Sequence, residues 1–318
     1  METGSGWIAL FPGQGSQAVG MGKALADRWP EAREVFREAD DVLGEALSRL
    51  CWEGPEEELR LTRNTQPALL AVSTAAFRVL ARRVPPPAVA AGHSLGEYSA
   101  LVANGTLAFA DALRAVRLRG EAMQEAVPVG AGGMAAVIGL DGAAVEKLCA
   151  ACREGDEVLV PANFNAPDQV VVAGHAAAVA RLVARAREAG ARRAIPLRVS
   201  APFHSPLMEP AAERLADFLA GLPFADGRFP VVANVDALPG TAGGEARRKL
   251  VAQVASPVRW LDTMRLLDAE WPGAVAVEVG PGKVLAGLAR RCAETIRVIP
   301  GGEPAEIEAA LAALGEMS

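Results

Sequence analysis

The chain has 318 residues, of which 51% are hydrophobic and 22% are charged, and its formal net charge is −6. This apolar content is enough to build a core in a chain of this length, so we expect a globular protein rather than a disordered one. The acidic balance argues against nucleic-acid binding through a broad basic surface. Charge-free stretches such as residues 126–140 are shorter than a membrane span and contain proline and glycine, so we expect no membrane segment.

The first six residues lack a basic region followed by an apolar stretch, so we expect no secretory signal and a cytoplasmic location.

Four cysteines are too few for a disulfide framework in a chain of this length. Cys149 and Cys152 have the C-x-x-C spacing of a redox or zinc site, but no second ligand pair accompanies them. Because both fall in an alanine-rich helical pattern, we expect them to pack in the core and predict no metal site.

Strands and helices alternate in the first third of the chain. Residues 7–11 are a short apolar run that ends at Pro12 and Gly13, which predicts a buried strand followed by a tight loop. Helical patterns follow at residues 21–50 and 66–80. A second buried strand is predicted at 88–91 and a helix at 95–102. This order favours an α/β fold with a sheet of parallel strands.

Shorter elements follow between about residues 134 and 200. Strands are predicted at 135–140, 158–162, 169–173 and 194–199, with helices at 142–152 and 176–189. This β-α-β-β-α-β order is that of the ferredoxin-like fold, which predicts a small inserted domain with hinges at 130–133 and 200–202. Beyond it, a strand is predicted at 231–235, a helix near 246–254 and a strand at 274–279. We therefore predict a large domain formed by residues 1–130 and 201–318 and a small domain formed by residues 131–200.

Residues 92–96, Gly-His-Ser-Leu-Gly, match the G-x-S-x-G pattern of a nucleophile elbow. A predicted strand precedes the pattern and a predicted helix follows it, as the elbow requires. Ser94 would lie at the helix N-terminus, where free backbone amides favour the negative charge of a tetrahedral intermediate. The alternative is a turn serine without chemistry. A nucleophilic serine also needs a base, usually a histidine within hydrogen-bond reach.

Three histidines could serve as that base. His93 is adjacent to Ser94, and we expect neighbouring side chains in such a turn to point apart. His175 begins a predicted helix, which indicates a cap or surface residue. His204 lies between prolines in a loop beyond a predicted strand. We therefore predict that His204 is the base, with a buried structural histidine as the alternative.

Residues 13–18 also fit the G-x-G-x-x-A form of a dinucleotide-binding loop placed after a strand. A dinucleotide unit needs a second strand that ends in an acidic residue about twenty positions further on. Here residues 31–42 are charged and helical in pattern instead. We therefore expect no dinucleotide cofactor.

Seven motifs, spread over nearly the whole chain, resemble those of the malonyl-CoA:acyl carrier protein transacylases and the related acyltransferase domains of polyketide synthases. They are Phe-Pro-Gly-Gln-Gly-Ser-Gln at 11–17, Thr-Gln-Pro-Ala at 65–68, Gly-His-Ser-Leu-Gly-Glu-Tyr at 92–98, Arg-Leu-Arg-Gly at 117–120, Pro-Phe-His-Ser-Pro at 202–206, Pro-Val-Arg-Trp at 257–260 and Glu-Val-Gly-Pro-Gly-Lys at 278–283. The resemblance implies an α/β-hydrolase-like core with a parallel sheet and an inserted ferredoxin-like subdomain. The order of the predicted elements favours the same fold class.

The resemblance also implies roles for the reacting groups. Ser94 would be acylated, and His204 would be the base that activates it. The backbone amides of Gln14 and Leu95 would form the oxyanion hole.

Three further residues would bind or position the substrate by the same resemblance. Arg119 would bind the free carboxylate of the malonyl group, whereas its alternative is an ordinary arginine on a helix surface. Phe203 would favour malonyl over methylmalonyl by crowding a methyl branch at the α-carbon. Gln253 lies where a backbone carbonyl would orient His204 in place of a carboxylate.

The resemblance implies malonyl-CoA and an acyl carrier protein as substrates and no cofactor. From the charge and the lack of a long apolar stretch we expect no nucleic-acid or membrane partner, and we expect a monomer. Because carrier proteins are acidic, docking would need a local basic patch, for which the candidates are Arg192, Arg193, Arg290 and Arg291. The carrier could belong to fatty acid synthesis or to a polyketide pathway served in trans. Two different kinds of protein would also fit the motifs: a serine thioesterase or hydrolase, and a non-catalytic scaffold that binds a carrier protein.

Overall fold

The computed structural model describes residues 6–197, 199 and 201–315. Within these residues the chain forms ten strands: β1 (Ile8–Phe11), β2 (Val89–Gly92), β3 (Gly132–Ile138), β4 (Leu159–Ala166), β5 (Gln169–His175), β6 (Arg193–Pro196), β7 (Val231–Val232), β8 (Pro239–Gly240), β9 (Val275–Glu278) and β10 (Arg297–Pro300). The same residues form fourteen α-helices: α1 (Lys23–Arg28), α2 (Pro30–Leu43), α3 (Leu47–Glu53), α4 (Glu56–Leu59), α5 (Thr62–Ala81), α6 (Leu95–Ala103), α7 (Phe109–Glu125), α8 (Gly142–Cys152), α9 (Ala176–Arg185), α10 (Glu209–Ala220), α11 (Gly243–Ala255), α12 (Trp260–Glu270), α13 (Val284–Cys292) and α14 (Pro304–Gly315).

Six strands form one sheet in the order β10-β9-β1-β2-β7-β8, and all neighbours are parallel except β7 and β8. On β1, Ile8 and Leu10 pack into one hydrophobic cluster while Ala9 and Phe11 pack into another, so both faces of the sheet are covered. Phe11 pairs with Gly92 at the carboxyl ends of β1 and β2. The loop after β1 and the turn after β2 therefore leave the sheet side by side.

Four strands form a separate antiparallel sheet in the order β4-β5-β3-β6. With α8 after β3 and α9 after β5, its chain order is the β-α-β-β-α-β order expected from the sequence. Two backbone hydrogen bonds tie β4 to the segment before α12: Phe164 N–H donates to Val258 O at 2.9 Å, and Val258 N–H donates to Ala162 O at 2.8 Å. The predicted fold class, a parallel α/β core with a second, smaller α/β unit, is confirmed, while the limits of residues 131–200 stay a prediction.

Several predicted elements differ in their limits. The helical pattern at 21–50 forms three helices because Pro30 begins α2 and Gly44, at φ 66°, ends it in a left-handed conformation. The strand predicted at 231–235 has two residues. The strand predicted at 194–199 is observed as β6, Arg193–Pro196, after which the Leu197 N–H still donates to Met134 O at 2.9 Å. Arg198, in the rest of that predicted strand, and Ser200, at the predicted hinge, lie outside the described residues.

Cys149 and Cys152 are buried on α8 within the core of the four-stranded sheet, as expected from their helical pattern. Burial raises the pKa of the Cys149 thiol to about 12, which keeps the thiol protonated at neutral pH.

Residues 31–42 lie in α2, so the strand that a dinucleotide unit needs does not follow β1. Over the described parts of the chain, no helix combines the length and the apolar character that crossing a membrane requires.

Candidate active site

The turn between β2 and α6 places Ser94 directly before the first residue of α6. Its φ of 51° is unusual for a residue with a Cβ and costs roughly 1–3 kcal/mol. Two glycines make this turn sterically possible. A Cβ on Gly92 would lie 1.9 Å from the carbonyl carbon of Gly96, and a Cβ on Gly96 would lie 2.0 Å from the carbonyl oxygen of Phe11. The G-x-S-x-G spacing therefore lets β2, α6 and the end of β1 approach closely.

A fully buried asparagine from beyond β7 stabilises this turn. The Ser94 N–H donates to Asn234 Oδ1 at 2.7 Å, and Asn234 Nδ2 donates to the Gly92 carbonyl at 2.7 Å. Asn234 is 0% exposed. The sequence patterns did not single out this residue, because its two contacts lie 140 and 142 positions away in the chain.

His204 contacts the predicted nucleophile. Its Nε2 lies 2.7 Å from Ser94 Oγ, and its Nδ1 lies 2.9 Å from the carbonyl oxygen of Gln253. Since a carbonyl can only accept, Nδ1 carries the proton and Nε2 is free to accept the proton of the serine. The structure thus brings Ser94, His204 and the Gln253 carbonyl together, as the resemblance implies.

The other two histidines have other hydrogen-bond partners, although His93 lies in the same cavity as Ser94. His93 Nε2 is 2.8 Å from Asn165 Oδ1, so this ring is turned to a different partner from that of the Ser94 hydroxyl. His175 ends β5, and its Nδ1 accepts the N–H of Val158 at 2.8 Å. Neither ring bonds to Ser94, which leaves His204 as the base that the geometry supports.

The environment of His204 keeps its imidazole neutral. Burial, and after it the positive charge of Arg119, lowers the pKa of His204 to about 3. At neutral pH the ring is therefore uncharged, which is the form that can accept a proton from a hydroxyl.

Arg119 lies on α7 and is 1% exposed, so the alternative of a helix-surface arginine is wrong. Its Nη2 donates to Ser94 Oγ at 3.2 Å and to Gln253 Oε1 at 2.9 Å, and its Nη1 donates to Gln66 Oε1 at 2.9 Å. No ion pair joins this guanidinium to a carboxylate among the described residues. The buried Glu97 carboxyl acts on this charge only through space, and a buried cation without a direct ion pair is costly, so the site favours an anion beside Ser94.

A cavity of about 480 Å³ contains these groups, and its wall includes the segments that follow β1 and β2 and two strands of the four-stranded sheet. The lining includes Gln14, Gln66, Ser94, Leu95, Arg119, Met123, Met134, Asn163, Leu197, Val199, Phe203 and His204. A groove of about 680 Å³, lined mainly by α5, α6 and the segment between α6 and α7, contains neither Ser94 nor His204. The smaller cavity is therefore the candidate active site.

The remaining predicted residues lie in or next to this cavity. Gln14 and Leu95 line it, and neither backbone N–H donates to another described group, so both are available to an oxyanion. Phe203 lines the cavity beside His204. Gln253 is 0% exposed, and its side chain contacts Arg119 rather than the cavity. The functional roles of all four stay predictions.

Two of the candidate docking arginines already have partners. Arg291 bonds to Asp168 and Gln169, and Arg192 lies 3.9 Å from Asp168. Arg193 and Arg290 are exposed. A basic docking patch built from these residues stays a prediction.

We predict that Gly92→Ala disables the nucleophile, because the new Cβ would overlap the Gly96 backbone and displace Ser94. A shift of about 1 Å at a reacting atom costs on the order of 100-fold in rate. Labelling of Ser94 by a fluorophosphonate probe, followed by intact-protein mass measurement, should slow by about that factor. Gly287→Ala on α13 is the matched control, because nothing lies within 4 Å of its Cβ position. Equal labelling of the two variants would contradict the steric argument.

We predict that His204 stays neutral in the folded protein well below the ordinary imidazole pKa of about 6.5. NMR of the imidazole signals, with His204 assigned through His204→Asn, should show no titration of this ring between pH 8 and 5. Because the unfolded chain binds this proton first as the pH falls, His204 should also lower stability progressively from about pH 6.5 towards pH 3. A midpoint near 6.5 in the folded protein would be the contrary result.

Comparison with known proteins gives one consistent family. Residues 8–309 match the acyl transferase domain family. The chain is 49% identical over 303 residues to a malonyl CoA-acyl carrier protein transacylase of Salmonella typhimurium, covering 95% of this chain and 97% of the relative. A solved acyl carrier protein S-malonyltransferase of Vibrio cholerae superimposes with a TM-score of 0.93 at 46% identity, covering 96% of this chain and all of that one. A malonyl-transacylase solved in complex with a type II polyketide synthase acyl-carrier protein gives a TM-score of 0.94 at 45% identity, with 97% and 100% coverage. The chain therefore belongs to the acyl transferase family that includes the malonyl CoA-acyl carrier protein transacylases.

Proposed function

We propose that this protein transfers a malonyl group from malonyl-CoA to the phosphopantetheine thiol of an acyl carrier protein through a malonyl-Ser94 intermediate. The observation that carries this proposal is the buried guanidinium of Arg119, which touches Ser94 Oγ at 3.2 Å and has no described carboxylate partner. A malonyl thioester supplies a carboxylate and a reactive carbonyl in one small group. The names of the relatives support the same substrate and acceptor.

In the first step Ser94 Oγ attacks the thioester carbonyl carbon while His204 Nε2 takes the hydroxyl proton. The carbonyl oxygen becomes an oxyanion facing the N–H groups of Gln14 and Leu95, each worth about 3 kcal/mol in such a site. The carbon–sulfur bond then breaks and leaves malonyl-Ser94. The departing thiolate of coenzyme A takes the proton from His204, so the base returns to its neutral form.

In the second step the carrier thiol enters the same cavity. His204 takes its proton, the thiolate attacks the ester carbonyl of malonyl-Ser94, and the serine oxygen leaves with the proton that His204 returns. A thioester is consumed and a thioester is formed, so no redox group or external energy source is required by the chemistry.

Two side chains would select the acyl group. Arg119 would bind the malonyl carboxylate with parallel hydrogen bonds, which an acetyl group cannot accept. Phe203, which lines the cavity next to His204, would crowd a methyl branch at the α-carbon and so favour malonyl over methylmalonyl. Gln253 would contribute indirectly, through its carbonyl on His204 and its amide on Arg119.

The same chemistry would serve a polyketide carrier in trans, and the relative solved with a polyketide carrier protein supports this second candidate. The two candidate functions differ in the carrier protein that receives the malonyl group, and both would use the same active site. A hydrolase would use the same serine and histidine but has no general need for a buried arginine at the nucleophile. We further propose that the protein acts as a cytoplasmic monomer without a cofactor.

We predict that mixing the protein with malonyl-CoA adds the mass of one malonyl group to the intact chain, and that Ser94→Ala abolishes the adduct. Addition of a holo acyl carrier protein should remove the adduct and place the malonyl group on the carrier. Rapid loss of the adduct to water without a carrier would instead indicate a hydrolase. An adduct that persists in Ser94→Ala would contradict the proposed nucleophile.

We predict that Arg119→Ala lowers kcat/KM for malonyl-CoA by about 100-fold while changing that for acetyl-CoA much less, because only malonyl has the carboxylate. Arg114→Ala on the same helix is the matched control, since Arg114 is exposed and bonds only to Asp111 among the described residues. Equal losses for both acyl groups in Arg119→Ala would contradict the role in carboxylate binding.

A further inference from the structure

Glu97 has a buried carboxyl group next to the candidate active site. The reaction described above does not involve this group. Glu97 lies on α6, three positions after Ser94, and is 2% exposed. Its Oε2 accepts the side-chain N–H of Gln253 at 2.7 Å and the backbone N–H of Asn234 at 2.9 Å. It does not line the cavity that contains Ser94. Its hydrogen-bonded route to the reacting groups therefore runs through these two neighbours, beside a through-space interaction of its charge with Arg119.

Three acceptors, of which Glu97 is one, fix which way the Gln253 amide faces. Gln253 Nε2 is surrounded by acceptors: Glu97 Oε2 at 2.7 Å, the Ser94 carbonyl at 3.0 Å and Asn234 Oδ1 at 3.3 Å. A flipped amide would place its oxygen against these oxygens and its N–H groups against the donors of Arg119. The flipped state is therefore disfavoured on both sides. Glu97 makes the shortest of the three contacts.

The amide orientation in turn sets the position of the guanidinium. With Nε2 turned towards Glu97, Gln253 Oε1 faces Arg119 and accepts from Nη2 at 2.9 Å. The same Nη2 lies 3.2 Å from Ser94 Oγ, so this contact, together with that of Nη1 to Gln66, sets where the cation lies relative to the nucleophile. A three-residue chain thus runs from Glu97 through Gln253 to Arg119.

Protonation of Glu97 does not reverse this orientation. Burial raises the pKa of Glu97 to about 7, while the hydrogen bonds from Asn234 and Gln253 and the charge of Arg119 lower it. Two donors converge on Oε2, so the proton of the neutral form must reside on Oε1. Oε2 therefore accepts both hydrogen bonds whether Glu97 is charged or neutral. The position of this oxygen, rather than the charge of Glu97, then determines the orientation of the Gln253 amide.

We propose that Glu97 is a positioning residue for acyl-group selection. By accepting a hydrogen bond from the Gln253 amide, it holds the Arg119 guanidinium where it can bind the carboxylate of the acyl group on Ser94. This inference rests on the proposed malonyl transfer. It assigns to a residue outside the cavity a share of the preference for malonyl over acetyl. The other contact of Glu97, with the backbone N–H of Asn234, would affect malonyl and acetyl transfer alike, because Asn234 bonds to the Ser94 amide. The preference between the two acyl groups therefore reports on the Gln253 contact.

Two conservative variants separate the position of the acceptor from the charge. Glu97→Gln keeps an oxygen at the same distance from both donors and loses the charge, whereas Glu97→Asp keeps the charge and withdraws the acceptor by one methylene. The measurement is the ratio of kcat/KM for malonyl-CoA to that for acetyl-CoA, with the melting temperature as a check on folding. We expect Glu97→Asp to lower the ratio about tenfold and Glu97→Gln to lower it less than about threefold, the loss of one aligned charge-assisted contact being worth about 1.4 kcal/mol.

The outcomes are distinct. If Glu97→Gln lost the preference and Glu97→Asp kept it, the charge rather than the acceptor position would matter, and the proposal would be wrong. An unchanged ratio in both variants with a lowered melting temperature would show a purely structural role and would also overturn it. Failure of the wild-type protein to form malonyl-Ser94 would instead refute the proposed function, so the two ideas can fail separately.

Discussion

The hydrogen bond between Ser94 Oγ and His204 Nε2 is the interaction on which the rest of the site depends, and it joins residues 110 positions apart. Both residues have positive φ, 51° and 58°, which is unfavourable for side chains with a Cβ. Neither conformation is stabilised by its own segment alone: Asn234 bonds to the Ser94 amide, and the Gln253 carbonyl bonds to the His204 ring. The Ser94–His204 contact therefore forms only when the segments after β7 and at the end of α11 are in place.

Burial leaves His204 neutral but leaves Arg119 charged. For His204 it removes the positive charge, so the ring is a proton acceptor, while Arg119 stays charged because guanidinium has so high an intrinsic pKa. The charge of Arg119 is also one cause of the low pKa of His204. An acyl carboxylate bound to Arg119 would offset that charge and raise the basicity of His204. The base would thus be stronger when a carboxylated substrate is present than when the cavity lacks an anion.

Features set by neighbouring residues could be predicted from the sequence. The elbow needs a strand, two glycines, a serine and a helix in direct succession, and α8 has the predicted limits, with Asp141 capping its first turn. Contacts between distant residues could not be predicted in this way. Asn234 reaches the elbow across 140 positions, and the burial of Arg119 depends on the packing of α7 against α5. No local pattern carries that information, so only the resemblance to a family singled out Arg119.

The four-stranded sheet is part of the site because it is hydrogen-bonded to the chain segment that begins at Gln253, whose carbonyl contacts the His204 ring. Met134 of β3 and Asn163 of β4 line the cavity that contains Ser94, and β4 is hydrogen-bonded to Val258, five positions after Gln253. The segment 253–258 therefore contacts His204 at one end and the four-stranded sheet at the other. A displacement of the sheet would move the cavity wall and shift the same segment that positions the imidazole. The shape of the cavity around Ser94 and the position of the His204 ring are thus coupled through this short stretch of backbone rather than set independently.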